Sequence, residues 1–286
     1  MTGSHSTMKF AAVLSMAVIF SACGPSGGGT STPSTVSGRV IMGPVEGAEV
    51  EVYELNDDGT EGNLIGSDTT DADGNYSVDD DGEGARKVVS KGGTYTDEAT
   101  GETVTIPSGN ELVTLIAAGT GKTNIGVTAL TTIAAARANS NAAAGLANAI
   151  ANANKDVATE FGIDGVDISD SDPDDFTDDI DDEDPNSDKT KHGLALAAVT
   201  QMAKDAGLSA DDVPALVQAM ADDYSDGAFD GKKGAAPLTT ALAVTPEMAL
   251  NGLEAASDNF LDNSARNRSS IKRGELAVMR GGAPAR

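Results

Sequence analysis

Few side chains in this chain could do covalent or acid–base chemistry. There is one cysteine, Cys23, and two histidines, His5 and His192. A lone thiol excludes an internal disulfide framework and a thiolate-rich metal site, and two imidazoles leave almost nothing for a zinc centre. His192 has no identifiable Ser or Cys partner in the sequence and reads as a surface residue at a helix start, so no catalytic residue is assigned. Carboxylates are the abundant chemistry. Asp and Glu number 45 against 19 Lys and Arg, a net charge of −26, and 13 of these acids lie in residues 163–188, which hold no base. Hard cations take six to eight oxygen ligands, so Asp170, Asp172, Asp174, Asp178 and Asp181 are candidate ligands, with Ca²⁺ the candidate ion. Each stretch resembling a calcium loop is a near miss. Residues 170–181 carry Asp175 where the sixth-position Gly belongs, residues 222–233 have Asp226 and Gly227 in register but end on Lys233, and residues 69–80 begin with Thr69. The competing reading is a solvated, self-repelling loop between two domains.

Two other ligand classes are disfavoured. Gly119-Thr120-Gly121-Lys122-Thr123 has the end of a phosphate-binding loop, but Ile116 stands where the pattern needs its first Gly. The run is read as a glycine turn joining a strand to a helix, and no cofactor is expected. The acid excess argues against nucleic acid, whose recognition starts from a basic face. With 3% aromatic residues, a stacking platform for bases or sugars is not expected either.

The N-terminus reads as a targeting segment. Met8-Lys9 precedes an apolar run over residues 10–20, too short for a bilayer core of about 30 Å and of the form of a secretory signal. The run ends in Phe20-Ser21-Ala22-Cys23. This resembles the lipobox of bacterial lipoproteins, which implies diacylation of Cys23 after removal of residues 1–22. Gly24 follows the Cys in place of the Asp associated with inner-membrane retention, so the resemblance implies an outer-membrane anchor. Residues 23–35 are rich in Gly, Ser and Thr and read as a flexible tether with a reach on the order of 20 Å.

From Val36 the pattern has period two: Val36, Gly38 and Val40 alternate with polar residues, as do Ala48, Val50 and Val52. Turn signals recur at strand spacing. Asp73-Gly74 predicts a tight hairpin between strands over 64–70 and 75–78, Ala99-Thr100-Gly101 predicts another between 94–97 and 102–106, and 112–116 reads as the last strand. About seven short strands suit an immunoglobulin-like sandwich. Val36-Ser37-Gly38-Arg39-Val40, Gly43-Pro44-Val45-Glu46-Gly47-Ala48-Glu49-Val50 and Thr70-Asp71-Ala72-Asp73-Gly74-Asn75-Tyr76-Ser77 resemble the carboxypeptidase regulatory-like domain. The resemblance implies a transthyretin-like, non-catalytic sandwich over 36–118. Residues 126–134 and 193–199 are similar to stretches of uncharacterised bacterial lipoproteins that pair such a sandwich with helices.

Helical signals fill residues 124–262. Thr128 caps a helix through Ala138, an Ala-rich helix spans 142–161 with Gly162 at its end, and a third covers 191–206. Ser209 caps a fourth through about Tyr224, and Thr245-Pro246 starts a fifth with Ala249, Leu253, Ala256 and Phe260 on one face. Residues 263–286 form a basic tail, expected to be disordered, with six bases and Glu275 as the one acid from Arg266 onward. The expected fold class is α+β and multidomain, a β-sandwich followed by a helical domain. The expected function is a non-catalytic, lipid-anchored envelope protein that presents its sandwich to a protein or glycan partner. The alternative is a lipoprotein that captures a cation or small substrate with the acidic loop.

Overall fold

A computed structural model describes residues 34–177, 184–242, 245 and 252–269. The described residues fold as a β-sheet region followed by a helical region, an α+β arrangement. Alternation of Val with polar residues makes the strands amphipathic, and two sheets bury the apolar faces in one shared core. Strands β1 (Thr35–Ile41), β4 (Asn75–Asp79) and β9 (Ile125–Thr128) form one sheet in the order β4-β1-β9. The other, in the order β3-β2-β5-β8, comprises β2 (Glu49–Leu55), β3 (Glu61–Thr69), β5 (Arg86–Lys91) and β8 (Leu112–Ile116). A short hairpin of β6 (Thr94–Thr96) and β7 (Thr103–Thr105) stands beside them, pairing as the 94–106 turn signals predict.

Two connections differ from the sequence expectation. The Asp73-Gly74 turn does not close a hairpin: β3 pairs with β2, whereas β4 pairs with β1 in the other sheet. The turn is locally well made, since Asp71 Oδ1 accepts from the backbone N–H of Asp73 and Asn75 at 3.0 and 2.9 Å, with Gly74 at φ 79°. Thr70 decides where it leads. Its hydroxyl accepts from Ala48 N–H at 2.8 Å and donates to Val45 C=O at 2.6 Å, pinning the end of β3 so that the chain crosses to the other sheet. The Gly119–Thr123 run, in turn, joins β8 to a further strand, β9, rather than to a helix. β9 pairs in parallel with β1, and a Cβ on Gly38 would lie 2.0 Å from Ile125 C=O, so glycine permits that approach.

Thr128 ends β9 and caps α1 (Ala129–Asn141) through a capping box with Thr131, as its sequence signals predict. α1 is buried along most of its length between β8, β9, α2 (Leu146–Glu160) and α4 (Val213–Tyr224). α2 starts later than the Ala-rich pattern suggests, because Gly145 at φ 113° breaks the run. α3 (Asp188–Asp205) begins ahead of its expected start, capped by Ser187, and Ser209 forms a capping box with Asp212 before α4. α5 (Leu253–Asn263) buries Leu253, Ala256 and Phe260, while Ala249 and Pro246 lie outside the described residues. β10 (Lys232–Lys233) and β11 (Ala236–Pro237) complete the described strands. All of these elements belong to one compact unit, and one apolar cluster runs from Val36 through Ile133 to Ala256.

Candidate functional site

Of the aspartates singled out in the sequence, Asp172 meets cations that the protein itself supplies. Asp172 is paired with Arg39 at 2.9 Å and with Lys189 at 3.7 Å. Asp174 accepts from the Thr190 hydroxyl at 2.8 Å, close to the start of α3. Burial, with Asp167 nearby, raises the pKa of Asp170. Asp178 and Asp181 lie outside the described residues, as does Cys23. The other calcium-like stretches are closed in the same way. Lys233, at the twelfth position, bonds Asp222, at the first, at 2.7 Å. Asp80 is gripped by Arg86 through both oxygens, at 2.8 and 3.0 Å, and by Lys122 at 2.8 Å. Lys122 of the glycine run thus serves as a counter-ion. Burial opposes ionisation of Asp80, but its bonds to Arg86 and Lys122 win, and the carboxyl is held well below the usual carboxylate range. Among the described residues no three His, Cys, Asp or Glu side chains are placed to hold one metal ion.

The acidic stretch is also more than a solvated loop where it is described. Ile163, Val166, Ile168 and Phe176 are buried, with Phe176 packed edge-on to Phe260 at 6.1 Å between ring centres. Asp164 and Asp167 are exposed and Asp172, Asp174 and Asp175 half-buried, while every few residues an apolar side chain anchors the stretch, a pattern that a count of acids hides.

His192 is the clearest correction. It is fully buried within α3, not on the surface, because the helix begins at Asp188 and turns this position inward. It has a serine partner: Ser171 Oγ lies 2.5 Å from Nδ1, and Thr128 Oγ1 lies 3.5 Å from Nε2. Burial lowers the pKa of the imidazole to about 3. So weak a base draws little proton density from a hydroxyl near neutral pH, and the pair is sealed from solvent. What it does is join the acidic stretch, α3 and the head of α1.

A groove of about 530 Å³ between α1 and α2 gathers several polar groups without such internal partners. Arg137 and Asn141 line it from α1; Asn148, Asn152 and Asp156 line it from α2, over a floor that includes Ala149 and Ala153. Spacings of four residues put each set on one helix face. Asn141 uses its amide N–H₂ on Arg137 C=O at 2.9 Å. Among the described residues, the guanidinium of Arg137, the amides of Asn148 and Asn152 and the carboxylate of Asp156 have no hydrogen-bond or ion-pair partner in the protein. Arg137 lies against Gly227, where a Cβ would come within 2.7 Å of the guanidinium carbon. Sequence reasoning missed this groove; the signal available was Asn at four-residue spacing in an otherwise Ala-rich helix.

Comparison with known proteins returned no match: no protein-family model, no curated protein and no solved structure is similar to this chain. No described helix is long and apolar enough to cross a membrane.

Proposed function

We propose that this chain is a non-catalytic, lipid-anchored protein of the cell envelope, acylated on Cys23, placed at the outer membrane and built to bind a protein or glycan partner. The observation that carries the reading is Phe20-Ser21-Ala22-Cys23 at the end of a short apolar run, followed by a Gly/Ser/Thr stretch that gives way to strand β1 at Thr35. A thiol in that setting is an acylation site, and the stretch behind it holds nothing to bury. The folded body then hangs from the lipid by a tether long enough to clear the headgroups. The sheet region is proposed to be a carboxypeptidase regulatory-like, transthyretin-like sandwich. Support comes from the quoted segments: one forms β1, one leads into β2, and one forms the Asp71–Gly74 turn. The non-catalytic part is supported by His192, the one histidine beyond Cys23, which is sealed and barely basic.

Metabolic labelling with tritiated palmitate tests the anchor. The wild type should label and fractionate with outer membranes, and Cys23→Ala should do neither. An unlabelled wild type, or equal labelling of the variant, overturns the reading.

A further inference from the structure

We propose that the α1–α2 groove binds a short extended peptide with free ends, its backbone amides on Asn148 and Asn152, its carboxylate on Arg137 and its ammonium on Asp156. The inference goes beyond the anchored-protein reading and does not depend on the lipid. Spacing is the first argument. Residues four apart on a helix are separated by about 6 Å along its axis. Alternate residues of an extended peptide repeat at about 6.6 Å. A primary amide offers one acceptor and two donors, so it can pair with both the N–H and the C=O of a peptide unit. Asn148 and Asn152 therefore match two alternate, similarly oriented peptide units, the first and third of a tetrapeptide, and the small Ala149 and Ala153 of the floor leave room for the backbone to approach.

Charge is the second argument. Arg137 has no carboxylate partner among the described residues, although the chain carries 45 acids. The acidic stretch and the other calcium-like stretches draw cations from the protein, whereas this guanidinium is left facing a groove. Its planar fork fits a carboxylate, and the absence of a side chain at Gly227 leaves room for it. Asp156 supplies the complementary charge in the same groove. A chain of net charge −26 repels an anionic peptide at a distance, whereas a zwitterion feels no such net force. A glycan is the poorer occupant, since no aromatic ring lines the groove. The placement of Asn148 and Asn152 within a helix is the third argument. Each stands where Ala would make the better helix and neither bonds within the protein, the kind of local compromise found at sites of function.

The test is a titration of the isotope-labelled full chain with tetraalanine, followed by NMR. The side-chain amide signals of Asn148 and Asn152 and the Nε–H signal of Arg137 should move together along one saturating curve. Amidating the C-terminus or acetylating the N-terminus of tetraalanine should weaken binding at least about tenfold. Arg137→Gln, and Asn148→Ala combined with Asn152→Ala, should each do the same without lowering Tm, because none of these side chains is bonded inside the fold. If millimolar tetraalanine moves none of these signals, or if the variants bind as the wild type does, the proposal is wrong. If an N-acetylglucosamine trimer moves them and tetraalanine does not, the groove is a glycan site and the peptide assignment fails. A failed palmitate experiment would leave this titration unaffected.

Discussion

Glu98 carries no hydrogen bond on its buried Oε2, and its neighbours offer little relief: Asp97 Oδ2 and the Tyr95 hydroxyl are also unsatisfied. Burial raises its pKa well above the carboxylate norm, and the charges of Asp175 and Asp97 add to the shift. The sign follows from linkage. Below the ordinary Glu range both folded and unfolded chains hold the proton, and nothing is lost. As pH rises past that range the unfolded chain releases it and the folded chain retains it, so stability falls, by at most about 1.4 kcal/mol per pH unit for one proton. Glu98→Gln keeps the shape without the titration. It should be more stable than the wild type at pH 8 and equal to it near pH 4, measured by urea unfolding at both. A variant that tracks the wild type at every pH would show that Glu98 ionises freely. The buried Asp80–Arg86–Lys122 group behaves oppositely, since a carboxylate held below its usual range loses its stabilising contribution as acid protonates it.

At the scale of elements, the sheets depend on a few backbone positions. β1 is flanked by β4 and β9, and the parallel pairing brings Ile125 C=O to where a side chain on residue 38 would begin. Gly38→Ala must push the two strands apart and should cost about 3 kcal/mol or more, an overpacking penalty at its upper end. Ser37→Ala, one residue away, is the control and should stay close to the wild type in the same chemical denaturation. Equal stability of Gly38→Ala and wild type would mean that β1 and β9 do not approach this closely. Gly193 in α3 is under the same constraint, with a Cβ placed 2.2 Å from Asp174 C=O. The helices follow their own signals more closely: caps at Thr128, Ser187 and Ser209 set their starts, and Asn148 and Asn152 each cost α2 up to about 0.7 kcal/mol relative to Ala.

For the whole molecule, the sheet region and the helices are energetically joined. Tyr76 of β4 donates to Ile125 C=O at 3.2 Å, and Val113 N–H of β8 donates to the Thr132 hydroxyl of α1 at 2.9 Å. Leu130 and Ile133 of α1 are fully buried in the cluster that includes Val36 and Val88. A fragment ending at residue 118 lacks β9 and α1, so it leaves β1 without its parallel neighbour and exposes one side of the core. It should show neither a cooperative melt nor dispersed amide signals. A fragment that melts cooperatively near the temperature of the full chain would show that the sheet region is independent.

Much of this architecture was legible in residue order, because it rests on interactions short in sequence. Period-two alternation marked most strands, and capping residues marked helix starts. The partners that meet across long separations were not legible. Asp73-Gly74 announced a turn, but only Thr70 and its contacts near Ala48 settled which strand β4 joins. His192 looked exposed because Ser171 and Thr128 reach it from elsewhere in the chain. The acids looked like a cation trap because Arg39 and Lys122 come from outside their clusters, and Lys233 folds back from the far end of its own stretch. Local propensity and periodicity are encoded by neighbours, whereas burial, counter-ion pairing and the unpaired groups of the α1–α2 groove depend on which distant segments the fold brings together.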